Sequence, residues 1–193
     1  MDIREAPPPC LIITKKSRMK TMGKKGQKFQ DLIVNSCEKQ GLMCIRMKDG
    51  STRTGPDGKM IRLKTSNPAD MIIFGDKSVL FLEAKELKSN NFPFTRVSSG
   101  DPKNPGQLEM MEKLSALETK NTHFGFLIQI DGFEWYIDHR DMRRKIETIG
   151  KKSLNECDIM RISFSVNMFL PDRCRKRRID IKWLMDYLVT LWP

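Results

Sequence analysis

Apolar residues along the chain fall into short runs and spaced stripes that alternate in kind. Residues 71–74 and 79–82 are two apolar runs flanking Gly75-Asp76-Lys77-Ser78, the pattern of two buried antiparallel strands joined by a tight hairpin. Ahead of them, Phe29, Leu32, Ile33, Ser36 and Cys37 recur at i, i+3, i+4, i+7 and i+8, which predicts a helix over residues 24–40 with one buried stripe, ended by Gly41. Residues 44–47 and 60–63 look like strands joined by a long exposed loop containing glycines and a proline. The polar stretch after Lys85, about twenty residues long, has no period and is expected to be mobile without a partner, with Phe92 and Phe94 either packing over the sheet edge or ordering against a ligand. Asn104-Pro105 then opens a second helix, with Leu108, Met111, Leu114 and Leu117 on its apolar side.

Residues 124–130 and 133–137 flank Asp131-Gly132, the strongest short hairpin signal in the chain. Ile181, Leu184, Met185, Leu188 and Leu191 close it in helical order, with Trp183 and Trp192 at the margins of the docked face. Strands interrupted by helices around an antiparallel hairpin predict an α/β fold with a mixed central sheet flanked by helices. Residues 1–20, with three prolines and a K-K-S-R-M-K cluster, read as a flexible basic arm. Residues 21–193 then form one domain that ends in a basic segment and the terminal helix.

Charge narrows the class of partner. The 193 residues carry 35 Lys and Arg against 24 Asp and Glu, a formal charge of +11, which points to a polyanion and by default to nucleic acid. The cations considered for phosphate contact are Lys24, Lys25, Arg53, Lys59, Arg62, Arg96, and the dense run Arg173, Arg175, Lys176, Arg177 and Arg178. A generally solvated basic surface has the same composition, and the last run also resembles a nuclear-localisation address. No apolar run approaches the ~20 residues needed to span a bilayer. The opening M-D-I-R-E-A-P-P-P lacks the basic-then-apolar layout of a secretory signal, so a cytoplasmic protein is expected. Five scattered cysteines without a C-x-x-C pair, and only two histidines, fit reduced thiols rather than a disulfide frame or a structural zinc. Trp135, Tyr136 and His139 are most simply rim or core aromatics and a surface histidine.

The candidate chemistry lies at one end of the first hairpin. With Asp76 and Lys77 as the loop, the register places Asp70 opposite Glu83, about 5 Å apart on one face. Lys85, two residues on, shares that face. Two carboxylates this close repel unless a proton or cation intervenes, and a hard divalent ion held by oxygen ligands suits them. Charged residues at the ends of an exposed turn are the commoner source of a D-x12-E-x-K spacing; the two-sided apolar runs weigh against that here.

Asn67-Pro-Ala-Asp70 followed by Glu83-Ala-Lys85 resembles the signature of the PD-(D/E)XK nuclease superfamily. Phe92-Pro93 and Gly106-Gln107-Leu108-Glu109-Met110-Met111 resemble the segment that follows it in RecU-type Holliday junction resolvases, and residues 23–32 resemble that family's first helix. The likeness extends loosely over about residues 20–140. It implies a restriction-endonuclease-like fold and a homodimer that acts on branched or double-stranded DNA. Asp70 and Glu83 would hold Mg2+ or Mn2+, Lys85 would orient the attacking water, and Gln107 would stand beside the site. The first helix of such nucleases usually adds a metal-binding Glu, where this chain has Gln30 with Asp31 beside it. Either side chain is a candidate ligand. Within the resemblance, a restriction or repair nuclease and a non-catalytic DNA-binding protein on the same scaffold are the alternatives to a resolvase.

Overall fold

The computed structural model describes residues 26–47, 52–54, 60–62, 67–87, 91–101, 105–117, 120–166 and 179–191. In chain order the elements are α1 (Gln27–Lys39), β1 (Met43–Arg46), β2 (Thr52–Thr54), β3 (Met60–Arg62), β4 (Met71–Phe74), β5 (Val79–Glu86) and β6 (Asn91–Pro93). A 3-10 turn (Phe94–Arg96) leads to α2 (Gln107–Ser115), β7 (Thr122–Ile130), β8 (Phe133–Asp138), α3 (His139–Thr148), β9 (Ser153–Asn155), α4 (Glu156–Ile162), β10 (Phe164–Ser165) and α5 (Ile181–Leu191).

Six strands form the central sheet in the order β1-β4-β5-β7-β8-β10, with β5 and β7 parallel and every other neighbouring pair antiparallel. This is the mixed sheet flanked by helices that the sequence predicts, and it is consistent with a restriction-endonuclease-like α/β architecture. Alternation along the strands separates two cores. On one face Met71, Ile73, Leu80 and Leu82 meet Phe29, Ile33 and Cys37 of α1 and Ile181, Leu184 and Leu188 of α5. On the other, Phe124, Phe126, Ile128 and Ile137 meet Leu108 and Met111 of α2, Met142 of α3 and Ile159 of α4. Among the described residues no helix is long and apolar enough to cross a membrane.

The β4–β5 hairpin has the expected register, Met71 opposite Leu82 and Phe74 opposite Val79, with Gly75 N–H donating to Ser78 C=O across the turn. Asp131 and Gly132 both have positive φ, 44° and 90°, as a two-residue hairpin turn of primed type requires.

Four expectations are corrected. The stretch read as one long loop between residues 47 and 60 contains a strand, Thr52–Thr54, and residues 60–62 pair with it as a separate two-stranded ribbon. Within the polar stretch after β5, residues 91–97 are tied down: β6 pairs with β9, and Phe92 and Phe94 are buried in the second core, so packing fixes them. The second helix is capped at Gly106 and ends at Ser115, which leaves Leu117 beyond it and exposed. His139 is buried rather than on the surface, its two ring nitrogens 3.1 Å from Phe124 C=O and 3.2 Å from Ser115 Oγ.

Candidate active site

Strand β5 runs through the middle of the sheet and continues three residues past its apolar run as Glu83, Ala84 and Lys85 before ending at Glu86. Glu83 lies opposite Phe126 of β7 and points to the face covered by α2. Asp70 immediately precedes β4, and its backbone and side chain lock it to both neighbours: its C=O accepts from Met47 N–H at 2.8 Å, and its Oδ2 accepts from Ala84 N–H at 3.0 Å. The extended hairpin register therefore holds Asp70 beside Glu83.

Glu83 is the centre of the cluster. Its side chain is 2% exposed. Lys85 Nζ lies 2.5 Å from Oε1, and Gln107 Nε2 donates to the same oxygen at 2.6 Å. The other oxygen, Oε2, is buried without a hydrogen-bond donor. Burial pushes the Glu83 carboxyl from its ordinary 4.5 up to about 7; the Lys85 charge opposes this, and the neighbouring Asp70 carboxylate reinforces it. A buried carboxyl oxygen with no donor, facing a second carboxylate, is an electrostatic demand for a proton or a cation.

Gln107 is delivered by the first turn of α2, and Gly106 sets that turn. A Cβ at Gly106 would lie 2.5 Å from Val97 C=O and 2.8 Å from Ser99 N, so only glycine lets the helix start this close to the preceding loop. Leu108 N–H donates to Val97 C=O at 2.9 Å. Glu109, two residues after Gln107, accepts from the Ser98 hydroxyl and the Ser99 and Gly106 amides, which hold its carboxyl below the usual range despite partial burial. Arg143 of α3 forks onto Glu112 at 2.5 and 2.7 Å and reaches Glu109 at 3.4 Å, bracing α2 from behind. A cavity of about 280 Å3 opens between these parts, lined by Asp70, Glu83, Gln107, Asn67, Arg96 and Ser98 among others.

The structure thus brings Asp70, Glu83, Lys85 and Gln107 together, with Arg96 exposed at the cavity mouth. It does not bring in the α1 candidates. Gln30 and Asp31 do not line the cavity, and Asp31 is taken up by Arg46 of β1 at 2.9 Å on the opposite face of the sheet. Among the described residues no group of three or more His, Cys, Asp or Glu side chains is arranged to hold a metal ion. Arg53 and Arg62 fall in β2 and β3, while Lys24, Lys25, Lys59, Arg173, Arg175, Lys176, Arg177 and Arg178 lie outside the described residues, as does the arm over residues 1–20. Sequence reasoning did not find Ser98 or Ser99, which carry no spacing signal; Glu109 had one, the position three residues after a helix N-cap.

Fold and cluster together define an α/β protein with a paired-carboxylate, lysine and glutamine constellation on one face of a mixed sheet. No protein-family profile matches the chain, and no curated protein sequence does. Among solved structures, Hjc of Archaeoglobus fulgidus, a Holliday junction resolvase from an archaeal hyperthermophile, superposes with a TM-score of 0.48 at 12% identity, covering 73% of this chain and 96% of that chain.

Proposed function

We propose that the protein is a metal-dependent, structure-selective DNA endonuclease that resolves four-way junctions. The observation that carries this reading is Glu83: a buried carboxyl with one oxygen held by Lys85 and Gln107 and the other left without a donor beside Asp70. Two carboxylates are the protein share of a typical Mg2+ site, which keeps several waters and takes the rest of its shell from substrate phosphate. Asp70 and Glu83 are the ligands in this reading, for Mg2+ or equally Mn2+. When bound, such an ion supplies Lewis-acid stabilisation of phosphoryl charge and an activated water.

The chain's own residues do the rest. Lys85, anchored on Glu83, presents a fixed positive charge to the water nucleophile. Gln107 holds the Glu83 carboxylate in place from the start of α2 and offers its amide to phosphate or water. Gln30 and Asp31, on the other face of the sheet, are not ligands in this reading. Paired nicks across a junction need two symmetric sites, so the reading includes a homodimer; a solution mass of one subunit at micromolar concentration speaks against it.

The test is nicking of a labelled four-way junction beside linear duplex of equal length, with Mg2+, Mn2+ or chelator, for wild type and Asp70→Asn. Symmetric metal-dependent cuts confined to the junction, lost in Asp70→Asn while binding persists, support the proposal. Cutting at one short linear sequence instead makes it a restriction-type enzyme. A second reading, a DNA-binding protein without catalysis, is favoured by the Gln at position 30 and the engagement of Asp31 by Arg46; tight binding without cleavage in either metal would establish it.

A further inference from the structure

The cavity that holds Asp70 and Glu83 is acidic, yet the ligand proposed for it is a polyanion, so something at its rim must hold phosphate near two carboxylates. Helix α3 ends with Gly150 at φ 64°, the left-handed turn that lets a glycine terminate a helix. The chain then passes through Lys151 and Lys152, both exposed, into β9. Strand β9 pairs with β6, Pro93 opposite Ser153, and the ladder continues one step further as Phe94 N–H donating to Lys152 C=O at 3.1 Å. Phe94 and Val97, buried in the second core, fix the 3-10 turn between them, and that turn sends Arg96 to the cavity mouth.

The ribbon therefore sets the backbone of Lys152, with Lys151 just before it, beside Phe94, two residues ahead of Arg96. None of the three cations has an ion-pair partner among the described residues. Uncompensated and exposed, they contrast with Arg143, Arg144 and Lys145 of the adjoining helix, each matched to a carboxylate.

We propose that the end of the β6–β9 ribbon, Arg96 with Lys151 and Lys152, is a phosphate clamp that holds the nucleic-acid backbone next to the position cut in the cavity. Arg96 faces the phosphate nearest the carboxylates, and the two lysines hold its neighbours along the strand. This deepens the nuclease reading and rests on it for the identity of the cavity, but the clamp itself requires only that the chain bind nucleic acid.

The experiment measures DNA affinity against salt concentration, in chelator, for wild type, Lys151→Gln/Lys152→Gln and a control of equal charge loss, Lys39→Gln/Lys77→Gln. Lys39 ends α1, and Lys77 lies in the hairpin loop at the opposite end of β4 and β5 from the carboxylates. Each lost phosphate contact lowers the slope of log K against log salt by about 0.9, so the clamp double variant should lose about 1.8 and the control should keep the wild-type slope. With Mg2+, the clamp variant should raise KM for nicking and leave kcat unchanged at saturating DNA. An unchanged slope in the clamp variant, or an equal loss in the control, overturns the clamp. A lowered slope in a protein that never cuts DNA leaves the clamp standing and removes the nuclease.

Discussion

Replacing Glu83 by Gln tests the electrostatics of the site without any assumption about substrate. In the folded chain the Glu83 carboxyl keeps its proton to about pH 7, against 4.5 when unconstrained. Below pH 4.5 both folded and unfolded chains hold the proton, and the group contributes no pH dependence. Between 4.5 and 7 the unfolded chain releases a proton that the folded chain retains, so stability falls as pH rises, by about 1.4 kcal/mol per pH unit. Above 7 the cost levels off at roughly 3 kcal/mol, an order of magnitude that stands because the side chain is almost wholly out of solvent. Gln has nearly the same volume, accepts from Lys85 and Gln107 through its carbonyl, and does not titrate. In urea unfolding with chelator at pH 5, 6, 7 and 8, Glu83→Gln should therefore gain on wild type up to about pH 7 and then level off, by roughly 2–3 kcal/mol over the series. Excess Mg2+ at pH 8 should raise wild-type stability and leave the variant unmoved. A stability difference that stays flat from pH 5 to 8 would refute the reasoning, since it would mean that Glu83 is ionised throughout and its burial is already compensated.

Two further outcomes follow from the same geometry. Lys85→Met removes the charge that holds the Glu83 value down, so in the variant the fall in stability, which still begins near pH 4.5, should extend to higher pH than in wild type in the same urea series. Gly106→Ala forces a Cβ to 2.5 Å from Val97 C=O; α2 must shift, at a cost of about 1–3 kcal/mol in unfolding experiments, and junction nicking should fall more than duplex binding because Gln107 moves with the helix.

The carboxylate pair was legible because a local turn created it: Gly75-Asp76-Lys77-Ser78 admits one register, and that register alone sets Asp70 against Glu83. The full length of β5 was harder to see, because Glu83 and Lys85 interrupt the apolar run that marks it, and a strand that carries a buried charge looks like a strand that has ended. The short strands β6 and β9 were invisible for another reason. Their partners lie some sixty residues apart, and three residues each offer no period to detect. Helix α3 escaped notice because its ten residues are nearly all polar and bury only His139 and Met142, too narrow a stripe to register. Helix α4 did leave a signature, Asn155 and Asp158 in a reciprocal capping box. The position of α1 depended on tertiary packing: periodicity gave its buried face but not which side of the sheet would receive it.

The parallel pairing of β5 with β7 gives the site a history as well as a shape. Asp70 and Glu83 meet through a hairpin of adjacent strands, a contact that closes a short loop and costs little chain entropy. Gln107 and the cavity wall arrive on the crossover between β5 and β7, which settles only when two strands separated by that whole connection align. The shorter closure favours the two acids meeting before the groups that surround them. Their repulsion is set in the hairpin, and the desolvation that compounds it arrives with the crossover, so a cation that binds the pair would act on the order in which this chain assembles as well as on the state it reaches.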